Sequence, residues 1–261
     1  MPDPIAHLKT ALGENFTIES ELGSGGMGTV YRVFDKKRGE HIALKTLDSR
    51  DASSIYRFKQ EFRALIDVAH KNLIQLYDLV ARDDVWFFTM ELVEGVSFIE
   101  YVRPDSNLAT AEDTTAVDSF QTRRRRSEGA ASSGRGREGV LDEARLRLTL
   151  RQLLQGVSAL HRAGKIHRDL KPPNVLVTES GHLKILDFGI AAEIGSSRRS
   201  DADDSAISGT AGYMAPEQCA GEMCGPESDW YAVGVLLFEA LTGRLPFSGS
   251  FYDVLRQKLE K

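Results

Sequence analysis

Two short polar runs, "IHRDLKPPN" and "LDFG", hold the residue types best suited to chemistry. The first presents Asp169, Lys171 and Asn174 in a loop between a predicted helix and a predicted strand, and the second places Asp187 at the end of a predicted hairpin strand. Two carboxylates and an amide oxygen are hard oxygen donors of the kind that bind magnesium together with phosphates. An ordinary charged surface loop would not need these residues at this spacing.

A glycine run, "GSGGMGTV", has G-x-G-x-x-G spacing at Gly23, Gly25 and Gly28. Two unrelated phosphate-binding designs share this spacing, so the spacing alone identifies no cofactor. In a dinucleotide-binding fold the glycines join a strand to a helix, whose N-terminus meets the pyrophosphate. Here "FTIESEL" and "TVYRVFD" flank the run, and both alternate as strands do. The glycines therefore join two strands, which excludes the dinucleotide interpretation.

Lys45 lies in "IALKTL", where strand alternation puts it on one face with Ala43 and Leu47. A strand lysine usually points to solvent. Apolar neighbours favour the other interpretation, a buried ammonium that needs a partner. Glu61, at the edge of the apolar stripe of a helix predicted over 53–69, is the candidate partner, although on these residues alone both interpretations stay open.

The elements that must position these residues fall into two parts. The first hundred residues alternate as five strands with one helix, which predicts a mostly antiparallel sheet. The rest is helical: a long amphipathic helix begins near Leu141 and ends at Gly164, and only "NVLVTESGHLKILDFG" interrupts the pattern, as a hairpin. The sequence therefore predicts an α+β fold.

Composition excludes several classes of function. The 261 residues are 41% hydrophobic and 27% charged, as in soluble folded proteins, and the net charge of −5 argues against nucleic acid as a partner. Cys219 and Cys224 are too few for a disulfide framework or a zinc site. The start lacks the pattern of a signal peptide, and the longest apolar run is too short to span a bilayer. We expect a cytoplasmic protein without a membrane segment.

The segment 103–140 differs in composition from its surroundings. It contains "QTRRRRSEGAASSGRGREG", in which no apolar periodicity survives. Such a segment buries too little surface to offset the entropy of ordering it, so we predict a disordered, arginine-rich insertion. A docking or nucleic-acid patch is the alternative.

Taken in order, "GSGGMGTV", "IALK", "HRDLKPPN", "DFG" and "APE" resemble the motifs of eukaryotic-type protein kinases, in the style of the bacterial Ser/Thr kinases. The resemblance covers nearly everything from Gly23 onward. It implies a two-lobed kinase domain over 1–261, with an antiparallel-sheet N-lobe at 17–93 and a mainly helical, partial C-lobe at 94–261.

The resemblance also implies a role for each matching residue. Asp169 would be the catalytic base, Lys171 would neutralise the transferred phosphate, and Asn174 and Asp187 would bind Mg²⁺, for which Mn²⁺ is a substitute. Lys45, oriented by Glu61, would hold the α and β phosphates of ATP. The residues implied in nucleotide binding are Leu22, Gly23, Gly25, Gly28, Val30, Ala43, Lys45, Glu61, Met90, Glu91, Val93 and Leu176. Leu65, Leu76, His167 and Phe188 would stack into the column that reports the active arrangement.

Lys171 and the run "GTAGYMAPE" resemble kinases that act on protein serine and threonine hydroxyls. Arg168 resembles the arginine of kinases that are switched on by a phosphate in the activation loop. We expect autophosphorylation at Ser205 or Ser208, by self-association in trans. The substrate would be a protein with Ser/Thr acceptors.

The resemblance further implies helices beyond the last residues of the chain, one of which supplies an arginine for Glu217. The helix predicted over 228–241 is apolar nearly all round and needs cover. We therefore expect a fragment of a longer polypeptide that is marginally stable alone. An inactive, pseudokinase-like nucleotide-binding module is the alternative to an active enzyme.

Overall fold

The computed structural model describes residues 8, 10–25, 28–47, 55–56, 59, 62–63, 66–82, 85–104, 139–187 and 211–260. These divide into two compact units. The first contains the described parts of 1–69 and 74–93, and the second contains those of 70–73 and 94–261.

The first unit is built on one five-stranded sheet, in which every neighbouring pair is antiparallel. The spatial order is β1-β2-β3-β5-β4. The strands are β1 (Phe16–Gly25), β2 (Gly28–Asp35), β3 (Glu40–Leu47), β4 (Leu76–Arg82) and β5 (Val85–Glu91). The five predicted strands and their antiparallel arrangement are confirmed.

One face of this sheet is covered by the N-terminal residues. Leu8 and Leu12 pack in one apolar cluster with Val33, Ile42 and Leu44, of which the last three are fully buried. Burial of a Val, Leu or Ile side chain stabilises the folded state by about 1.5–3 kcal/mol. Sequence analysis assigned no element here, whereas residues 8 and 10–12 are helical and cover the sheet.

The helix predicted over 53–69 is described in part. Residues 55–56, 59, 62–63 and 66 are helical, as predicted, but 67–69 are not, so the predicted end at Ala69 is three residues too late. Phe62 is buried, and its ring lies 6.0 Å from that of Phe88 on β5. Glu61 and Leu65 lie outside the described residues.

The second unit is mainly helical. Its helices are α1 (Phe98–Val102), α2 (Glu143–Arg162), α3 (Pro216–Ala220), α4 (Pro226–Thr242) and α5 (Phe251–Leu259). The predicted hairpin forms as β7 (Val175–Thr178) and β8 (Leu183–Ile185), and β6 (Gly95–Ser97) extends it to three antiparallel strands. The sequence did not predict β6 and α1, because both are too short to show periodicity. Most of the predicted insertion, 105–138, lies outside the described residues.

The predicted long helix is α2, which begins after its N-cap Asp142 and ends at Arg162, two residues before Gly164. One stripe of α2, including Leu146, Leu153 and Leu160, is buried. In α4, Leu236 is buried while Leu241 on another side is 52% exposed. Among the described residues, no helix combines the length and the apolar character that crossing a membrane requires.

Candidate active site

The glycine run lies at the meeting of β1 and β2. Gly23 pairs with Val30, and Gly25 pairs with Gly28, so the glycines join two strands as predicted. Gly28 has φ +134°, and a Cβ there would lie 1.8 Å from the carbonyl oxygen of Thr46. Only glycine allows the start of β2 to approach the end of β3 this closely.

The hydroxyl of Thr46 reinforces this approach. It accepts a hydrogen bond from the backbone N–H of Thr29 at 3.1 Å and donates one to the carbonyl of Thr29, also at 3.1 Å. The glycine run is thereby fixed to β3, the strand in which Lys45 directly precedes Thr46.

The sheet register brings four predicted residues onto one face, which we call the Lys45 face: Val30, Ala43, Lys45 and Met90. Val30 pairs with Lys45, and Ala43 pairs with Met90. Directly paired residues of an antiparallel sheet point to the same face. Ala43 and Met90 are buried and Lys45 is half-buried, so Lys45 lies beside apolar side chains. The predicted pairing of Lys45 with Glu61 concerns a residue outside those described and stays a prediction.

The remaining predicted nucleotide-binding residues of the first unit lie near the same strands. Leu22 is half-buried on β1, and Glu91 ends β5. The backbone N–H of Glu91 donates to the carbonyl of Gln75 at 2.9 Å. Val93 is buried just beyond β5.

The loop 167–174, which we call the catalytic loop, brings Asp169, Lys171 and Asn174 together. The amide nitrogen of Asn174 donates to the backbone carbonyl of Asp169 at 2.8 Å and to its Oδ2 at 3.0 Å. Nζ of Lys171 lies 3.0 Å from the same Oδ2. One carboxylate is therefore oriented by an amide and an ammonium, both from the same loop.

His167 connects this loop to the segment that carries Asp187. Its ring is fully buried; Nδ1 accepts from the backbone N–H of Asp169 at 3.3 Å, and Nε2 donates to the carbonyl of Leu186 at 2.8 Å. Burial lowers the pKa of His167, although Asp229 and the Leu186 carbonyl act in the opposite direction. A neutral ring suits both contacts, because it offers one acceptor and one donor.

Asn174 and Asp187 are held as near neighbours by the backbone. The N–H of Leu186 donates to the carbonyl of Asn174 at 2.8 Å. Asp187 itself has φ +48°, and Arg168 has φ +68°. Residues other than glycine rarely adopt this left-handed conformation, and they persist in it where the surrounding structure holds them.

Asp229 on α4 supplies much of that support, and sequence analysis missed it. Its carboxylate, 1% exposed, accepts from the backbone N–H of His167 at 2.8 Å and of Arg168 at 2.7 Å, and it also contacts Nε2 of His161 at 2.8 Å. The signal that indicates its role is an acidic residue near the start of an otherwise apolar helix. A carboxylate that is buried with such a helix requires hydrogen-bond partners.

Two further predicted residues lie on described strands. Leu176 lies half-buried on β7, beside the catalytic loop in sequence. Leu76 is buried on β4. Phe188 and the serines of the predicted activation loop lie outside the described residues.

Comparison with known proteins is consistent with this geometry. The family model described as "Protein kinase domain" matches residues 16–260. The chain is similar to the serine/threonine-protein kinase PknL of Mycobacterium tuberculosis, with 32% identity over 95% of this chain and 55% of that protein. It is also similar to the serine/threonine-protein kinase PrkC of Bacillus subtilis, with 30% identity over 87% of this chain and 30% of that protein.

A solved structure has the same architecture. The twitchin kinase fragment of C. elegans matches with a TM-score of 0.66 and 25% identity, over 95% of this chain and 48% of that one. The predicted two-lobed α+β fold is confirmed. The chain spans about a third to a little over half of the length of the curated relatives described above. The chain belongs to the protein kinase domain family.

Proposed function

We propose that this chain is a protein serine/threonine kinase that transfers the γ-phosphoryl group of Mg-ATP to serine or threonine hydroxyls of a protein substrate. The observation that carries the proposal is the arrangement at Asp169. Its Oδ2 is held by Lys171 and Asn174, 3.0 Å from each. His167 then connects the same loop to the segment of Asp187.

Asp169 is the proposed base. A carboxylate that the loop holds in one orientation can accept the proton of a serine or threonine hydroxyl as the oxygen attacks phosphorus. Lys171 shares this oxygen and, as a cation, can interact with the phosphoryl group during transfer. Most of the rate enhancement then comes from positioning and from electrostatic stabilisation.

Asn174 and Asp187 are the proposed metal ligands. The amide nitrogen of Asn174 is bonded to Asp169, so its oxygen is the end suited to a cation. An amide oxygen and a carboxylate on adjacent segments fit Mg²⁺, which prefers a few protein oxygens together with phosphates. When bound, the ion would neutralise phosphate charge.

The Lys45 face and the glycine run are the proposed ATP-binding surface. Lys45 would bind phosphate oxygens, and its apolar neighbours Val30, Ala43 and Met90 would contact the adenine ring. The tight approach at Gly28 supports this role, because backbone amides rather than side chains would then face the phosphates. Serine or threonine as the acceptor is supported by Lys171 and by the names of PknL and PrkC.

Regulation by phosphorylation is a further part of the proposal. Arg168, in its left-handed conformation next to Asp169, is the proposed partner of a phosphate on Ser205 or Ser208. Phosphorylation of one copy by another would supply that phosphate. Mass spectrometry that finds neither serine modified in an active preparation would contradict this part.

The test is phosphoryl transfer from labelled ATP with Mg²⁺ to dephosphorylated casein, for wild type and Asp169→Asn. Loss of a general base lowers the rate by about 10²–10⁴-fold, so Asp169→Asn should show transfer near background. Asp78→Asn, at an aspartate that is 62% exposed on β4, is the matched control and should transfer as wild type does.

Two outcomes would contradict the proposal. One is transfer that Asp169→Asn leaves unchanged, since a contaminating kinase would then account for it. The other is thermal stabilisation by ATP and Mg²⁺ without any transfer, which would support the nucleotide-binding module instead of the enzyme.

A further inference from the structure

Lys258 on α5 is a lysine in an unusual place. It is 4% exposed, and its Nζ donates to three backbone carbonyls: Ala211 at 2.7 Å, Gly212 at 2.8 Å and Met214 at 2.6 Å. Among the described residues, no carboxylate lies within ion-pair distance of this ammonium. The side chain of Lys258 thus joins three residues of the segment 211–215 to α5.

Burial of a lysine without a carboxylate is costly, since charged side chains are almost never fully buried unless paired. An ammonium has three N–H donors, and here each has an acceptor. Nζ also lies 5.2 Å from the centre of the Tyr231 ring and 5.7 Å from that of Phe247. The site is therefore fully satisfied, but only for the charged form of the amine.

The segment that Lys258 holds is connected to the catalytic loop. The backbone N–H of Ala215 donates to Oε1 of Gln218 at 2.9 Å, and Nε2 of the same glutamine donates to the carbonyl of Arg168 at 2.8 Å. Arg168 directly precedes Asp169. Hydrogen bonds and the backbone between them therefore connect Lys258, through 211–215 and Gln218, to Arg168, the residue before the proposed base.

We propose that Lys258 is a positioning residue for the protein acceptor: its three hydrogen bonds hold 211–215 against the catalytic loop, where an acceptor hydroxyl must be presented to Asp169. This inference rests on the proposed function of the site. It assigns to α5 a part in acceptor binding that does not involve the nucleotide.

The arrangement depends on the proton of Lys258. Burial lowers the pKa of Lys258 to about 8, while the neighbouring Cys219 acts to raise it. A neutral amine has two N–H donors for three carbonyls, so deprotonation leaves one carbonyl facing a lone pair. The contacts that hold 211–215 therefore weaken as the pH rises above about 8.

The titratable groups around Lys258 do not change charge in the same range. Burial raises the pKa of the Cys219 thiol on α3 and of the Tyr231 hydroxyl on α4, so both remain neutral when the lysine loses its proton. Two carboxylates also lie in this region, Glu217 on α3 and Glu239 on α4, and they accept from the hydroxyls of Ser228 and Tyr213, each at 2.5 Å. Lys258 is thus the group whose charge changes first above pH 8.

The test compares wild type with Lys258→Met and Lys258→Arg, and uses Arg256→Met as a control at a residue of α5 whose side chain is 66% exposed. At pH 7, Lys258→Met should raise the KM for dephosphorylated casein about tenfold, the loss expected for hydrogen bonds to a charged group. The KM for ATP should stay within about twofold, because the effect lies on the acceptor side.

The pH profile separates positioning from simple structural damage. In wild type the KM for casein should rise between about pH 8 and pH 9.5, following the lysine. Lys258→Arg should give a flat profile over this range, since an arginine stays charged. Lys258→Met should be flat as well, but at the raised value. Equal KM values for casein and equal profiles in all four proteins would overturn the proposal.

Amide hydrogen exchange of 211–215 gives a readout that needs no activity. The protection factors of the amides in 211–215 should fall about tenfold in Lys258→Met and should not change in Arg256→Met. If wild type shows no transfer, the proposed function fails, and this measurement still tests the contact. Unchanged exchange overturns the role of Lys258. If Lys258→Met does not fold, two other measurements test the role of Lys258. One is the pH profile of the KM for casein in Lys258→Arg, and the other is amide exchange of 211–215 in wild type at pH 7 and pH 9, corrected for intrinsic exchange rates.

Discussion

The Lys45 face and the catalytic loop position their polar groups by different means. On the Lys45 face, strand pairing sets the spacing, and Val30 and Met90 lie beside Lys45 and Ala43 because the ladder register puts them there. In the catalytic loop, buried polar side chains hold the backbone, that of Asp229 from outside the loop and that of His167 from within it.

This difference determines how each region responds to change. A ladder distributes its stability over many backbone hydrogen bonds, each with a modest net contribution. A buried polar side chain with several partners is different, because its removal leaves every partner unsatisfied in a region of low dielectric. We therefore expect the catalytic loop to be sensitive to single polar substitutions and to pH, and the Lys45 face to be sensitive mainly to backbone geometry.

The largest effect is expected for Asp229→Ala. The substitution leaves the backbone N–H groups of His167 and Arg168 without their acceptor, which should lower the free energy of unfolding by about 3–5 kcal/mol. Urea denaturation measures it. In the first unit, Thr46→Val removes the contacts with Thr29 and should cost about 1 kcal/mol. If the two substitutions cost the same, the comparison between the regions does not hold.

Gly28→Ala should be the most damaging single change near the Lys45 face. A Cβ would meet the Thr46 carbonyl at 1.8 Å in a backbone with φ +134°, so we expect a loss of about 1–3 kcal/mol and a severalfold rise in the KM for ATP. Gly39→Ala is the matched control: its φ is +70°, but nothing lies within 4 Å, so it should cost about 1 kcal/mol and leave the KM unchanged. An equal KM in both variants would contradict the geometric explanation.

A pH effect is expected from His167. Because burial lowers its pKa in the folded state, the unfolded chain binds a proton first as the pH falls below about 6.5. Stability should therefore decrease on acidification, with a contribution from this residue of up to about 1.4 kcal/mol per pH unit. Unfolding at pH 7 and pH 5 should show a smaller decrease in His167→Gln. The exposed His182→Gln serves as the control, and an unchanged slope in His167→Gln would argue against a buried neutral ring.

The smallest effect is expected from Glu19, on β1 of the first unit. Slight burial acts to raise the pKa of Glu19, but hydrogen bonds from His41 and Arg32 outweigh it and hold this pKa below its usual value. The stability from this carboxylate is present above about pH 4.5 and is lost as the pH falls through the folded-state pKa. Exposed pairs contribute little, so Glu19→Gln should cost a few tenths of a kcal/mol at pH 7 and progressively less as the pH falls below about 4.5. A loss above 1 kcal/mol in the free energy of unfolding would mean that the contacts of Glu19 with His41 and Arg32 contribute more than exposed pairs usually do.

The strands of the first unit could be predicted from the sequence because alternation is a local signal. The same holds for the helix that ends before Gly164 and for the hairpin around "ESGH". Spacing also identified Asp169, Lys171 and Asn174, which the structure places in contact.

The residues that support this loop have no neighbours in sequence that identify their partners. Asp229 bonds to residues about sixty positions earlier in the chain, and nothing near it in sequence indicates the partner. Lys258 looks like a surface charge on an amphipathic helix, and its burial depends on carbonyls that lie more than forty positions away. Gln218 likewise reads as an ordinary helix residue. Contacts of this kind arise from tertiary packing and become visible only once the chain is folded.

The contacts of His167 bear on attempts to transplant this site. One ring contacts both the backbone of Asp169 and the carbonyl before Asp187, and Asn174 joins the same segment through Leu186. A designer who copied only the individual side chains onto another scaffold would copy their chemistry without their geometry. The smallest portable module is the whole stretch 167–187, grafted as one piece together with a carboxylate that takes the place of Asp229.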